Sequence, residues 1–532
     1  MPLRNAVVRT GFVGLVALAG LAAEASADDL ILRDGGNAAA AAKFGQPAAE
    51  RAAGRGAEVE WVRVDAALLA SAPESLAVEL VAGERLWALR TELERAPGSV
   101  VWRGRFAGNE PGYTSVTLSL HDGFVHGFFE TEDGTYLLRT GPDGVGVLKA
   151  AFDETEPVCG LGREARDRRA AAAAAPSAAG EAAGAEWWEL APAKADDVAQ
   201  LGILVVYRPQ LAEGLGGEAA VVALGRASID VLNTTLRNSA IHARAYLAGV
   251  RALDASSPVW AGSVQTVLAN AVNHPTISAL RAETGGDIVS LFLEPGFPGG
   301  CHVAYAFLMS RDLVGPQMER RAINAGCYLD RPLTFAHEVG HNLGAHHDPG
   351  SAAPPELNSF PWSYAYMCCQ DEPRFNTVMN SGQRINQFSN PDLIVAGVPA
   401  GIPEERDNAR TLNLTAPIAA AFRPGEPPPA GPAGPPPKKP AAPRKLTAKA
   451  LDAFQVQLAW SDVAVDEDVY LVERKTGAKF VEIMALGAGV NQVSFFPVPA
   501  TPGKTVSYRV RARNAAGASG YSNVAKVKMP KP

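Results

Sequence analysis

Residues 337–348 read HEVGHNLGAHHD, and three of these side chains are spaced to hold one metal ion. His337 and His341 stand four apart, so on a helix their imidazoles leave the same face about one turn from each other. That geometry lets both reach a single Zn2+ at roughly 2.0–2.1 Å. Gly344 tolerates the positive φ that ends a helix sharply, and the turn brings His347 round as third ligand. A fourth position is left open for water, which separates a catalytic zinc site from a closed structural one. Glu338, beside the first histidine, is placed to act as general base on a water activated by the metal. The chain has nine histidines, so a chance HExxHxxGxxH has odds on the order of 10⁻⁵. His346 is one residue short of the third-ligand spacing and is expected to be exposed or to support a ligand from behind.

Such a site needs a helix with a rigid floor. Pro332 suits the first turn of that helix, where its missing N–H would be unpaired in any case. Val339 and Leu343 fall on the side away from the histidines and should anchor the helix to a core. Upstream, 201–207 and 287–293 read as buried strands, 219–236 has helical spacing, and 301–308 reads as a further strand. The segment from about 195 to 423 is therefore an α/β unit.

The extended motif resembles that of the metzincin zinc proteases, and Asp348 after the third histidine resembles the reprolysin (adamalysin-like) branch. INQFSNPDL at 385–393 and DNARTLNLTAPIAAAF at 407–422 resemble the end of bacterial catalytic domains of that kind. The likeness implies His337, His341 and His347 as ligands, Glu338 as general base, and Met379 as the methionine of the turn beneath the metal. Met367, in WSYAYM, is the competing methionine and is expected to pack. The likeness also implies that the strand at 302–307 is a sheet edge that pairs with substrate. No tyrosine follows Met379 at the spacing of a fifth ligand. A bound Ca2+ is compatible with the family, although no D-x-D-x-D-G loop occurs.

The remainder of the chain divides around this unit. Arg4 and Arg9, the apolar stretch 11–23 and Ala25-Ser26-Ala27 form the parts of a secretory signal, expected at 1–27. Residues 28–160 contain an antiparallel meander: Val116, Leu118 and Leu120 alternate, and turns at His121-Asp122-Gly123 and Glu132-Asp133-Gly134 bound the next run. This segment resembles a metzincin propeptide, and Cys159 in EPVCG is a candidate cysteine switch, a thiolate for the open zinc position. An Ala/Arg-rich stretch, 161–194, follows as a maturation region. Removing Cys159 leaves an even four cysteines, Cys301, Cys327, Cys368 and Cys369. Cys301–Cys327 is the expected pair; adjacent Cys368 and Cys369 leave the remaining connectivity open, with one of them able to pair elsewhere.

A Pro-rich spacer, 424–443, favours polyproline II. Beyond it, 444–530 has three period-two runs (Val456 to Trp460, Tyr470 to Arg474, Tyr508 to Ala512) and resembles a fibronectin type III sandwich. The fold expected is thus multidomain: a β-rich propeptide, an α/β metzincin catalytic domain with mixed sheet and zinc helix, and an all-β C-terminal domain.

With 532 residues and net charge −7, nothing marks a nucleic-acid-binding surface. No segment after the signal has about 18 unbroken apolar residues, so no membrane span is expected. The reading is a secreted zinc endopeptidase (extracellular, periplasmic or cell-surface associated) made as a latent proenzyme and acting on protein or peptide. The fibronectin-like domain would tether it to substrate or surface. Two alternatives are an adhesion protein with a vestigial protease and a zinc hydrolase acting on something other than peptides; the intact Glu338 argues against the first.

Overall fold

The computed structural model describes residues 29–32, 59–81, 84–107, 114–131, 134–151, 198–298, 304–306, 316–349, 359–369, 375–380, 382, 384–423, 439–451, 456–464, 467, 469–487, 491–495, 502–514 and 517–531. The signal segment, Cys159, Cys301, the Ala/Arg-rich stretch and most of the Pro-rich spacer lie outside them.

The N-terminal unit is one antiparallel sheet of nine strands. They are β1 (Ile31–Leu32), β2 (Val59–Val64), β3 (Ser75–Val81), β4 (Glu84–Ala96), β5 (Ser99–Phe106), β6 (Ser115–His121), β7 (Phe124–Thr131), β8 (Gly134–Thr140) and β9 (Val145–Ala151). From β3 to β9 each strand pairs with the next, and β2 closes onto β9. The meander at 116–138 is its centre, with the turn at Asp122-Gly123 supplied by residues of positive φ. One face buries Leu76, Val78, Trp102, Val116, Leu118 and Phe129.

The catalytic unit is built on a five-stranded sheet. Strands β10 (Ala199–Tyr207), β11 (Ala243–Ala252), β12 (Ile288–Phe292), β13 (Tyr305–Ala306) and β14 (Ile323–Gly326) lie in the order β11-β10-β12-β14-β13. Every pairing is parallel except β13 with β14, so β13 is an antiparallel edge. The run LGILVVY in β10 is buried throughout because helices and loops cover both faces of a parallel centre.

Helix α1 (Glu218–Asn238) is the one described helix whose length and mean apolarity would suffice to cross a membrane, but polar residues interrupt it and most of it is buried inside the protein. Its burial explains the composition. One side lies on the catalytic core through Val221, Leu224, Leu232 and Leu236. The other lies under the N-terminal sheet, where Phe128 and Leu137 pack and polar side chains also make contact. Ser119 donates to Asp230 (2.7 Å), His121 Nε2 meets the same carboxylate (2.7 Å), and Thr117 and Arg103 meet Thr234 (both 2.9 Å). A helix covered on both sides cannot be amphipathic in the ordinary sense.

Glu130 of β7 carries this interface into the catalytic unit. Its carboxyl accepts from the Ser115 hydroxyl and from the Asn386 backbone N–H, both at 2.9 Å. Burial pushes its pKa from 4.5 up to about 8, while those two bonds pull down by less. The native protein therefore holds a proton that the unfolded chain releases near pH 4.5, so stability falls as pH rises from there toward 8. Glu130→Gln removes that penalty, and its unfolding free energy should exceed the parent's at pH 8 by on the order of 2–4 kcal/mol, but not at pH 4. Equal pH dependence of the two proteins in denaturant titrations would count against a buried, protonated Glu130.

The C-terminal unit is a two-sheet sandwich. Arg444–Ala450, Val456–Ser461 and Gln492–Phe495 form one sheet, and Lys479–Gly487, Val469–Thr476 and Thr505–Asn514 with Ala525–Lys528 the core of the other. Leu458 and Trp460 from the first pack on Tyr470, Val472, Tyr508 and Val510 from the second. The described residues are thus multidomain and mixed α/β overall, with extensive sheet in every unit.

Candidate zinc centre

Helix α2 (Pro332–Asn342) carries the motif. Pro332 sits in its first turn, and Leu343 caps its C-terminus. Gly344, at φ +93°, follows. The Gly344 N–H bonds to the His341 carbonyl and the Ala345 N–H to that of Gly340, so the turn satisfies carbonyls the helix would leave orphaned. Val339 and Leu343 are fully buried in the core, each contributing about 1.5–3 kcal/mol through apolar burial. The side chains of Asn324 and Asn342 tie the helix end to β14, through a 2.9 Å bond to each other and a 2.9 Å bond from Asn342 to the Ile323 carbonyl.

The three expected ligands converge. Nε2 of His341 is 3.1 Å from that of His337, and Nε2 of His347 is 3.0 Å from both. His337 Nδ1 donates to the Val378 carbonyl (2.9 Å) and His341 Nδ1 to the Ala345 carbonyl (2.8 Å). Because a carbonyl only accepts, those Nδ1 atoms carry the protons and the Nε2 atoms present lone pairs. Lone pairs facing one another across about 3 Å repel, and a cation among them turns the repulsion into ligand bonds. Burial first, and neighbouring positive groups second, hold all three imidazoles below their ordinary pKa, His347 at about 4. They are therefore neutral ligands at neutral pH. This donor set fits Zn2+.

The floor is the segment around Met379. Both Val378 and Met379 are fully buried. A Cβ on Gly340 would fall 2.7 Å from Met379 Sδ and 2.7 Å from Phe388 Cε1, so the helix lies directly on them. Met367, expected to pack, is instead 61% exposed, on a short ribbon at the surface. Glu338 is completely buried beside His337.

His346 is not exposed: it is buried, and its Nδ1 accepts the backbone N–H of His347 at 2.8 Å. Asn408 holds the same stretch by accepting from the His346 N–H and donating to its carbonyl (both 3.2 Å). Asn380 accepts from the Asp348 N–H (3.2 Å), and Asp348 pairs with Arg406 (3.4 Å). Asn408, Asn380 and Asn324 position the ligands, and sequence reading missed them. They are polar residues inside apolar surroundings, and their partners are 18–62 residues away.

Cys368 and Cys369 are bonded to each other, so neither pairs elsewhere. Cys327 is also disulfide-bonded, and its expected partner Cys301 is among the residues not described. The edge strand expected at 302–307 is present as β13 over its described part.

Known proteins agree with this chemistry. Residues 211–389 match the Reprolysin_5 family, metallo-peptidase family M12. The chain is 28% identical to a "Peptidyl-Asp metalloendopeptidase" of Stenotrophomonas maltophilia (strain R551-3), over 69% of this chain and 87% of that one. A protein of the same name from Pseudomonas aeruginosa is 28% identical over 42% of this chain and 41% of its own. Another from Xanthomonas campestris pv. campestris is 35% identical over 17% and 22%. Three converging histidines placed to hold a metal, on a segment matched by this family, make the chain a metzincin-like zinc metalloendopeptidase with a reprolysin-like M12 domain.

Proposed function

We propose that the chain is an exported proenzyme whose mature form cleaves proteins beside aspartyl residues, with Glu338 as general base. The observation that carries this reading is the neutral, buried three-histidine cluster with a carboxylate next to it in sequence and on the same helix. Zinc, when bound, supplies Lewis acidity and lowers the pKa of a water toward about 7. His337, His341 and His347 would hold it, and the Val378 and Ala345 carbonyls keep two of their rings aimed. Glu338 takes the proton of the attacking water and passes it to the leaving amine. Among the described strands β13 is the edge of the sheet, where an extended substrate would add as a further strand.

Support for aspartyl specificity comes from the relatives' name alone. Support for export is the signal-like start of the sequence. The N-terminal sheet is read as a propeptide, with Cys159 as the switch that closes the zinc position until cleavage in the 161–194 stretch. The C-terminal sandwich is read as a fibronectin type III module that tethers the enzyme.

The test is proteolysis of casein by the mature protein, with fragment ends mapped by mass spectrometry. Expected are fragments that begin or end at aspartyl residues, loss of cleavage with a chelator, and recovery with Zn2+. Cleavage that ignores the chelator, or ends without aspartate, would refute the reading. In the same assay the unprocessed Cys159→Ser protein should be more active than the unprocessed parent, and unchanged latency removes the switch.

A further inference from the structure

The segment that floors the zinc cluster returns past it with a cation. Asn376 and Arg384 bridge one another, and the Ile385 N–H donates to the Asn376 carbonyl (2.8 Å), so 376–385 is a closed loop carrying Val378 and Met379 at one end and Arg384 at the other. From there the Arg384 side chain crosses to the zinc helix, where its Nη2 donates to Thr334 Oγ1 at 3.2 Å. Thr334 precedes His337 by three residues and Glu338 by four. On a helix those are the same-face neighbours, with Cβ atoms about 5–6 Å apart. The guanidinium thus stands one turn along the helix from the zinc ligand and the base.

The Arg384 side chain is half-buried, and its bond to Thr334 holds its charge on the face of the helix that carries the first ligand. A fixed cation there opposes the binding of a dication and weakens the basicity of the ligands, so for metal binding alone the placement is unfavourable. It becomes favourable when the site admits a group of opposite charge. A peptide whose scissile carbonyl lies over the three histidines puts the side chains flanking that bond about one helical turn from the cluster. An aspartyl carboxylate extends over that distance, and a guanidinium is the side chain suited to receive it.

We infer that Arg384 is the specificity-determining residue of this protease, binding the carboxylate of the aspartyl residue beside the cleaved bond. The inference rests on the aspartyl reading proposed above. Arg384 acts on substrate directly, while Thr334 fixes its direction.

The experiment compares kcat/KM for matched peptides carrying Asp or Asn, placed before or after the scissile bond, in the zinc-loaded mature enzyme and its Arg384→Gln and Arg384→Lys variants. Zinc content and thermal unfolding are measured on each. The ratio for Asp over Asn should fall about 10- to 100-fold in Arg384→Gln and only several-fold in Arg384→Lys, which keeps the charge without the fork. The loss should lie mainly in KM if the carboxylate is bound equally in ground and transition states. If the parent prefers Asp and both variants keep that preference, the inference falls while the aspartyl reading stands. Proportional loss for Asp and Asn peptides also overturns it, since that is the signature of structural damage. A parent enzyme indifferent to Asp at both positions overturns the aspartyl reading and the inference together.

Discussion

Replacing Glu338 by glutamine should lower kcat on the order of 10³- to 10⁴-fold while leaving one zinc per chain. The two side chains have nearly the same volume, and residue 338 is completely buried, so packing should be preserved. What disappears is the ability to accept a proton from the attacking water. Converted at about 1.36 kcal/mol per decade, the loss is about 4–5.5 kcal/mol of transition-state stabilisation. KM should move little, because the amide can still occupy the carboxylate's place. The measurement is peptide hydrolysis beside zinc quantitation by atomic emission on the same sample. A variant that keeps zinc and retains more than a tenth of the activity would show that another group is the base.

Gly340→Ala is the second large effect, and it acts through the floor. Alanine improves intrinsic helix propensity by about 1 kcal/mol, which by itself would favour the substitution. Against this, the new methyl meets both Met379 Sδ and Phe388 Cε1 at 2.7 Å, inside contact distance on two sides. Both neighbours are fully buried, so neither can swing into solvent. Overpacking of a filled core costs about 1–3 kcal/mol, and two simultaneous contacts place this case at or above the upper end. A net destabilisation of about 2 kcal/mol is expected. Because Val378, next to Met379, accepts from His337 Nδ1, a shift of the floor also turns a ligand. Zinc affinity should fall about 10-fold or more, as when a group that orients a metal ligand is removed. Chelator competition and thermal unfolding read the two effects separately, and a variant as stable and as zinc-avid as the parent contradicts the close packing.

The three stations of Glu130, Gly340 and Arg384 meet on one piece of chain, 376–388. Glu130 of the N-terminal sheet holds the Asn386 N–H, Asn386 accepts from Thr235, and the Val378 N–H bonds to the Gln387 carbonyl. From Val378 the line continues to His337. The N-terminal sheet therefore contacts the segment that supports a zinc ligand while lying against helix α1. Its contact with the catalytic unit combines Phe128 and Leu137, which join the catalytic core, with hydrogen bonds and ion pairs, including Arg226–Asp122 (2.6 Å) and Lys149–Asp330 (3.3 Å).

The ligand set could be read without a structure because its geometry is local. Residues four apart on a helix share a face whatever surrounds them, and Gly344 returns the chain within one turn, so His337, His341 and His347 meet within eleven residues. The period-two strands at 116–138, 456–460 and 508–512 were legible for the same reason: alternation is a property of each strand and its one buried face. The floor and the specificity cation were not legible in this way. Met379 lies under Gly340, Arg384 on Thr334 and Asn408 on His346 only after strands and loops far apart in sequence have packed, and no period in the chain announces such pairs. Met367 went the other way for the same cause, a sulfur flanked by aromatics that turned out exposed, while packing decided between the two readings of His346 in favour of support for a ligand. Helix α1 is the plainest case. Its buried polar residues Asp230 and Thr234 have no account within its own sequence, and become intelligible once a second sheet is seen to cover the side that the catalytic core leaves open.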